Sequence, residues 1–159
     1  MASWAQVVVS EAEFAERVQR VFDAHLHKTL ATLRKDGAPR ISGIEAKFAD
    51  GELWLGMMPG SRKALDLRHD PRLALHSAMI DVTMAQGDAK IAGRGVEILD
   101  PATIRTMNGE AAEDPDGQLS HLFRVDVSEV VLTSLGEPAD HLVIEIWREG
   151  REFQRIQRR

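Results

Sequence analysis

The chain has 159 residues, 43% of them hydrophobic and 28% charged, with a net charge of −5. That balance fits one packed domain, and the acidic excess argues against a general nucleic-acid binder, which is usually basic. There is no cysteine, which excludes disulfides, thiolate nucleophiles and Cys-bound zinc.

The opening MASWAQVVVSEAEF lacks a basic leader and has only a short apolar run, so it does not read as a signal peptide. No apolar run approaches the roughly 18 residues that a membrane span needs. The expectation is a single cytoplasmic, soluble domain over 1–159, with neither nucleic acid nor membrane among its partners. Ser10 and Glu13 read as a capping box, and Phe14, Val18, Val21 and Phe22 share one helical face, predicting a helix over about 11–24.

The period then changes to strands. Thr29–Leu33 is β-prone, Ile41–Phe48 roughly alternates and Leu53-Trp54-Leu55 continues the pattern. The Asp-Gly turn signals in RKDGAP and ADGE join them into an antiparallel meander. A short helix follows over about 61–69, with Ser61 as N-cap, and HDP ends it. RLALHS is a strand, and Met79–Gly87 reads as a loop. DAKIAGRGVEIL is another strand, in which Gly93 and Gly95 mark a bulge or a close backbone approach. Asp100-Pro101 opens a helix, GEAAEDPDGQ is a polar loop, and LFRVDVSEVVLTSL and HLVIEIWREG are the last long strands. Residues 150–159 form a basic tail. Strands in this order must close or stack to bury their apolar faces. The expected fold is mainly β: a six-stranded antiparallel barrel over about 28–148 with about three peripheral helices.

One stretch is electrostatically odd. In MMPGSRKALDLRHDPR, Arg62 and Lys63 sit at the positive end of the second helix, where cations are disfavoured. A bound anion resolves the conflict, because the first N–H groups of a helix have no internal partners and point at such a ligand. Gly60 permits close approach, Ser61 offers a hydroxyl, Arg62 a bidentate fork and Lys63 a point charge. Together they fit a phosphate monoester. The alternative is a surface helix whose cations pair with Asp66 or Asp70. The spacing is not that of a P-loop.

Other residues carry weaker signals. His25 and His27 suit a helix C-terminus on electrostatic grounds alone. His69 and His76 lack the three or four converging partners that a metal needs. Ser42-Gly43, in mid-strand, marks either a bulge or a close backbone approach. Trp54 and Trp147 read as core or interface residues. Met57, Met58, Met79 and Met84 read as gap fillers or the lining of an apolar pocket.

The segment GSRKALDLRHDPRLAL, placed after a strand, resembles the GSRKA…L…NPR segment of the pyridoxamine 5′-phosphate oxidases, within the wider family of flavin-binding split β-barrels. ATLRKDGAPRISG and DGELWLG resemble the first three strands of that family, and KIAGRGVEIL a later one, so the likeness spans about 28–100. It implies a split barrel that binds FMN as a homodimer, with the cofactor between subunits, and transfers hydride to or from a small molecule. Ser61, Arg62 and Lys63 would hold the flavin phosphate, and Arg40 would contact the flavin. Glu45 stands where the oxidases have a lysine, with Lys47 nearby; Met57 replaces a phosphate-bonding threonine and Asp88 a ring-contacting glutamine. The chain has no tyrosine and no RLxP-type ending. The resemblance therefore points to a substrate other than pyridoxamine phosphate. Trp147, in EIWREG, resembles the end strand of related split-barrel reductases, some of which use the deazaflavin coenzyme F-420. Its anionic tail would suit Arg34, Arg40 or Lys47. Arg124, Trp147 or the C-terminal arginines would reach the partner's cofactor. A non-enzymatic flavin or haem binder is a further alternative.

Overall fold

Two helices open the chain where one is expected. In the computed structural model, which describes residues 1–79 and 83–159, α1 (Trp4–Ser10) precedes α2 (Ala12–Asp23). The capping box lies at Ser3 and Gln6, not at Ser10 and Glu13. Ser10 closes α1 and so lacks the extended backbone that an N-cap needs; its hydroxyl instead accepts from Trp147 Nε1 at 3.2 Å. Glu11 stands at the start of α2 without a side-chain cap. The helix holds because Phe14, Ala15, Val18, Val21 and Phe22 bury one face.

The meander follows as β1 (His27–Leu33), β2 (Pro39–Ala49) and β3 (Glu52–Met57). Then come α3 (Arg62–His69), β4 (Arg72–His76), β5 (Asp88–Ile98), α4 (Pro101–Asn108) and a 3₁₀ turn at Gly109–Ala112. The loop expected over 79–87 contains residues 80–82, which lie outside the described residues. Asp100 caps α4, its Oδ2 accepting from Thr103 N at 2.8 Å. β6 (His121–Leu135), β7 (Leu142–Arg148) and β8 (Gln154–Arg158) complete the chain. The basic tail is thus an edge strand hydrogen-bonded to β7.

The sheet runs β3-β2-β1-β4-β5-β6, and β3 pairs with β6 to close a six-stranded antiparallel barrel. The long β6 makes closure possible: residues 121–124 pair with β3, whereas 129–135 pair with β7, residues 129–133 keeping β5 on the other edge. The register of β5 on β6 shifts at Ala92/Gly93. Glycine is required there, because a Cβ on Gly93 would lie 2.2 Å from the Asp126 carbonyl oxygen. Leu30, Leu53, Leu55, Leu75, Ile91, Phe123 and Val125 fill the barrel, and Trp4, Val7, Phe14, Val18 and Phe22 join the same core. α4 lies against β3 and β6 over a smaller cluster of Ile104, Ala112 and Leu122. Among the described residues the α-helices number four, one more than expected, the addition being α1. Among the described residues no helix is long and apolar enough to cross a membrane.

Candidate functional site

The turn between β3 and α3 is shaped before any ligand is considered. Gly60 has φ +68°, a conformation that costs glycine little and other residues more. Its N–H donates to His121 Nε2 at 3.0 Å. Ser61 has the extended backbone of an N-cap (φ −61°, ψ 139°), yet its side chain makes no capping bond. Its Oγ is buried with no hydrogen-bond partner among the described residues. Buried hydroxyls without partners are uncommon in folded proteins and need an explanation. The N–H groups of Arg62 and Lys63, at the first two helical positions, have no acceptor within the helix.

The cations nearby are not neutralised by their own helix. Asp66 accepts from Arg40 Nε at 2.6 Å and from Thr32 Oγ1 at 2.8 Å. Burial alone would raise the Asp66 pKa, but the hydrogen bonds from Arg40 and Thr32 and the charges of Arg40 and Arg34 together hold it below the ordinary carboxylate range. Asp70 is held by Arg72 at 2.6 Å. The two carboxylates that could have paired with Arg62 and Lys63 are therefore engaged elsewhere. Arg62 is exposed and makes no hydrogen bond or ion pair among the described residues. Lys63 reaches β2, where its Nζ donates to Gly43 O at 2.6 Å, and burial lowers its pKa.

A cleft of 710 Å³ runs from this turn across β2 to the beginning of β1. Ser61, Lys63, Met57 and Met58 line one end, Gly43, Glu45 and Lys47 the middle, and His25, His27 and Lys28 the other end. The strand period sets the floor. Ile41, Gly43, Glu45 and Lys47 form the exposed row of β2, whereas Arg40 and Ser42 share the row of buried Ile44 and Ala46. A Cβ on Gly43 would meet nothing within 4 Å, so this part of the floor is flat and open. The opposite wall comes from Met107, Asn108 and Ala111, which the sequence reading assigns no role. Gly56 admits that wall: a Cβ there would lie 2.6 Å from Asn108 Oδ1. Lys28 is 6% exposed. Its Nζ donates to Leu26 O at 3.1 Å, and burial lowers its pKa against the charges of Asp23 and Glu45.

The structure brings Ser61, Lys63 and Met57 to this cleft, with Gly60 and Arg62 in the same turn. Arg40 and Ser42 lie one row away on β2, Arg40 fixed to Asp66. Asp88 and Trp147 are not brought to the cleft. Asp88 Oδ1 sits 3.8 Å from His76 Nε2 on the β4–β5 pair. Trp147 is 6% exposed and belongs to the main core. Arg124 pairs with Asp126 at 3.0 Å. Trp54 is half-buried at the cleft, its Nε1 donating to Ala49 O at 3.0 Å. Among the described residues no group of three or more His, Asp and Glu could hold a metal ion.

The profile of the pyridoxamine 5′-phosphate oxidase family matches residues 14–134, most of the chain and the whole barrel. The chain belongs to that family. Its fold is shared by a pyridoxamine 5′-phosphate oxidase-related, FMN-binding protein of Nostoc punctiforme, with a TM-score of 0.68 at 16% identity over 100% of this chain and 98% of the other. A Clostridium acetobutylicum protein related to general stress protein 26, of the pyridoxinephosphate oxidase family, gives a TM-score of 0.62 at 12% identity over 92% and 94% of the two chains. An F-420 reductase gives 0.50 at 19% identity over 66% of this chain and 88% of that one. No curated protein matches. These likenesses belong to the fold.

Proposed function

We propose that this member of the oxidase family binds FMN, with the phosphate in the Gly60–Lys63 turn and the ring along the exposed row of β2, and that it is an oxidoreductase acting on a small organic molecule other than pyridoxamine phosphate. The observation that carries the reading is the buried Ser61 Oγ, beside two N-terminal N–H groups and Arg62, with no partner for either side chain among the described residues. A phosphate monoester supplies acceptors for all of them at once.

The bound flavin would supply the hydride chemistry, and the chain's residues bind, orient and shield. Ser61, Arg62 and the N–H groups of Arg62 and Lys63 would hold the phosphate. Lys63, anchored on Gly43 O, ties the phosphate turn to the strand beneath the ring. Gly43 leaves that strand free of side-chain bulk. Met57, Met58 and Met107 give the cleft apolar surface that excludes water. Arg40 is oriented by Asp66 through Nε, which leaves the rest of its guanidinium fork available. Glu45, on the exposed row of β2 with Lys47 nearby, stands where the resemblance expects a lysine, and this supports a different substrate.

A homodimer is part of the proposal. Ile41 on the exposed row of β2 is 75% exposed and Met58 beside the cleft 78%, so a second copy covering that face would bury both and enclose the cofactor. Light scattering of the purified protein tests this, with a dimer expected and a monomer against it. A second reading, with coenzyme F-420 in the same cleft, is favoured by Lys28 and Lys47, which carry positive charge well beyond the phosphate turn. Titration with FMN and with the deazaflavin, read by fluorescence quenching, separates the two. Saturable FMN binding is expected, and a protein that takes up neither cofactor refutes both.

A further inference from the structure

The anion turn is held by a side chain that no part of the flavin reading requires. His121, at the start of β6, sits opposite Met57 in the β3–β6 register, directly behind the turn. Its Nε2 lies 3.0 Å from Gly60 N. A backbone N–H can only donate, so Nε2 carries a lone pair and the ring's single proton is on Nδ1. Nδ1 lies 3.2 Å from Glu97 Oε1, which accepts that proton's hydrogen bond. Glu97 is fixed in turn by Arg68, with Nε on Oε2 at 2.8 Å and Nη2 on Oε1 at 2.7 Å. The Arg68 hydrogen bonds, working against burial, hold the Glu97 carboxyl below its usual range. The chain of contacts therefore starts on the body of α3, crosses β5 and β6, and returns to the turn that begins α3.

We propose that His121 is a positioning residue for the anion turn: as the neutral Nδ1–H tautomer it fixes the Gly60 N–H, and gaining a second proton releases the turn and weakens anion binding. This rests on the flavin reading for the identity of the anion, but not for the contact itself. A proton on Nε2 would point at the Gly60 N–H, donor against donor, and the turn could not keep its shape. The groups facing the ring are Glu97 from β5, Arg68 from α3 with Nη2 at 3.3 Å from Nδ1, and neutral Asn108 from α4, whose Nδ2 reaches His121 O at 3.3 Å. Among the described residues β3 presents no charged group to it.

Two measurements test this. In the unliganded protein, the Gly60 amide resonance is followed by NMR from about pH 8 to about pH 5.5, where histidine changes charge. It is expected to shift in step with the His121 ring and to stay still in His121→Gln, whose amide oxygen replaces Nε2 as acceptor. A Gly60 amide that ignores the ring's titration overturns the proposal. FMN affinity is then compared between wild type and His121→Gln at each pH, so that the titration of the ligand's own phosphate cancels. The ratio is expected to be near one at about pH 8 and to fall against the wild type by roughly five- to tenfold at about pH 5.5, the net worth of one hydrogen bond. A ratio independent of pH overturns the proposal. If FMN binds neither protein, the flavin reading fails and the Gly60 amide alone decides the role of His121.

Discussion

The two ends of α3 are built from similar residues and treated in opposite ways. Toward its C-terminus both carboxylates and Arg68 have protein partners: Asp66 holds Arg40 and Thr32, Arg68 holds Glu97, and Asp70 holds Arg72. At the N-terminus Ser61 Oγ has no partner, Arg62 has none among the described residues, and Lys63 has only a neutral carbonyl. Satisfied ion pairs fix a helix in place; unsatisfied donors at its end point to something the chain does not itself provide. Charge count alone does not distinguish the two ends. The location of the acceptors does.

The contrast breaks most visibly at Asp66. Asp66→Ala leaves Arg40 and Thr32 without their shared acceptor, and removing one partner of a largely buried pair costs about 3 kcal/mol. Urea unfolding should show a loss of that order. The same carboxylate gives a pH signature. Its folded pKa is depressed, so its contribution is complete above the unfolded value of about 3.9 and disappears as pH falls through the lower folded value. Glu97, also depressed, acts in the same sense. Wild-type stability should therefore decline on acidification below about pH 4, and Asp66→Asn should flatten that decline. An equally steep acid limb in the variant would remove Asp66 from the account.

At the open end the expectation reverses: large effects on binding and small ones on folding. Arg62→Ala with Lys63→Ala should weaken FMN binding by roughly thirtyfold or more, the scale of hydrogen bonds to a charged ligand, while the melting of the unliganded protein hardly moves. Ser61→Ala sharpens the point. An N-cap serine that bonds its helix costs about 1 kcal/mol when replaced by alanine. Ser61 makes no such bond, so the unliganded variant should be as stable as the wild type and should lose only flavin affinity, by roughly five- to tenfold. A clear drop in unliganded stability would show that the hydroxyl caps the helix in solution. The smallest effect belongs to Arg72→Ala. Asp70, held at about 2 mainly by that side chain, should move back toward the ordinary carboxylate value, with no measurable change in melting.

The open end was legible in the sequence, and its surroundings were not. GSRK after a strand announced cations at a helix start, and the period-two pattern with Asp-Gly turns announced the meander. The capping box at Ser3 and Gln6 is hidden in the sequence because it precedes a run of three valines that does not look helical, while Ser10 and Glu13 precede an amphipathic segment that does. Tertiary burial of Trp4 and Val7 overrides the propensity of α1. On β2, parity separates Ser42 from the Gly43 row, and parity follows from register rather than from composition. The role of His121 had no local signal at all: its partners are 61 and 24 residues away in sequence. The engagement of Asp66 by Arg40, which decides between a paired helix end and an anion site, spans 26 residues and becomes visible only once β2 lies beside α3.

The central claim, that the Gly60–Lys63 turn grips a phosphoryl group, is tested most directly by comparing FMN with riboflavin in the wild type and in the Arg62→Ala, Lys63→Ala variant. The account predicts that the wild type binds FMN far more tightly than riboflavin and that the variant nearly abolishes the difference. Equal affinity of the wild type for both flavins, or a preference for FMN that survives in the variant, would contradict it.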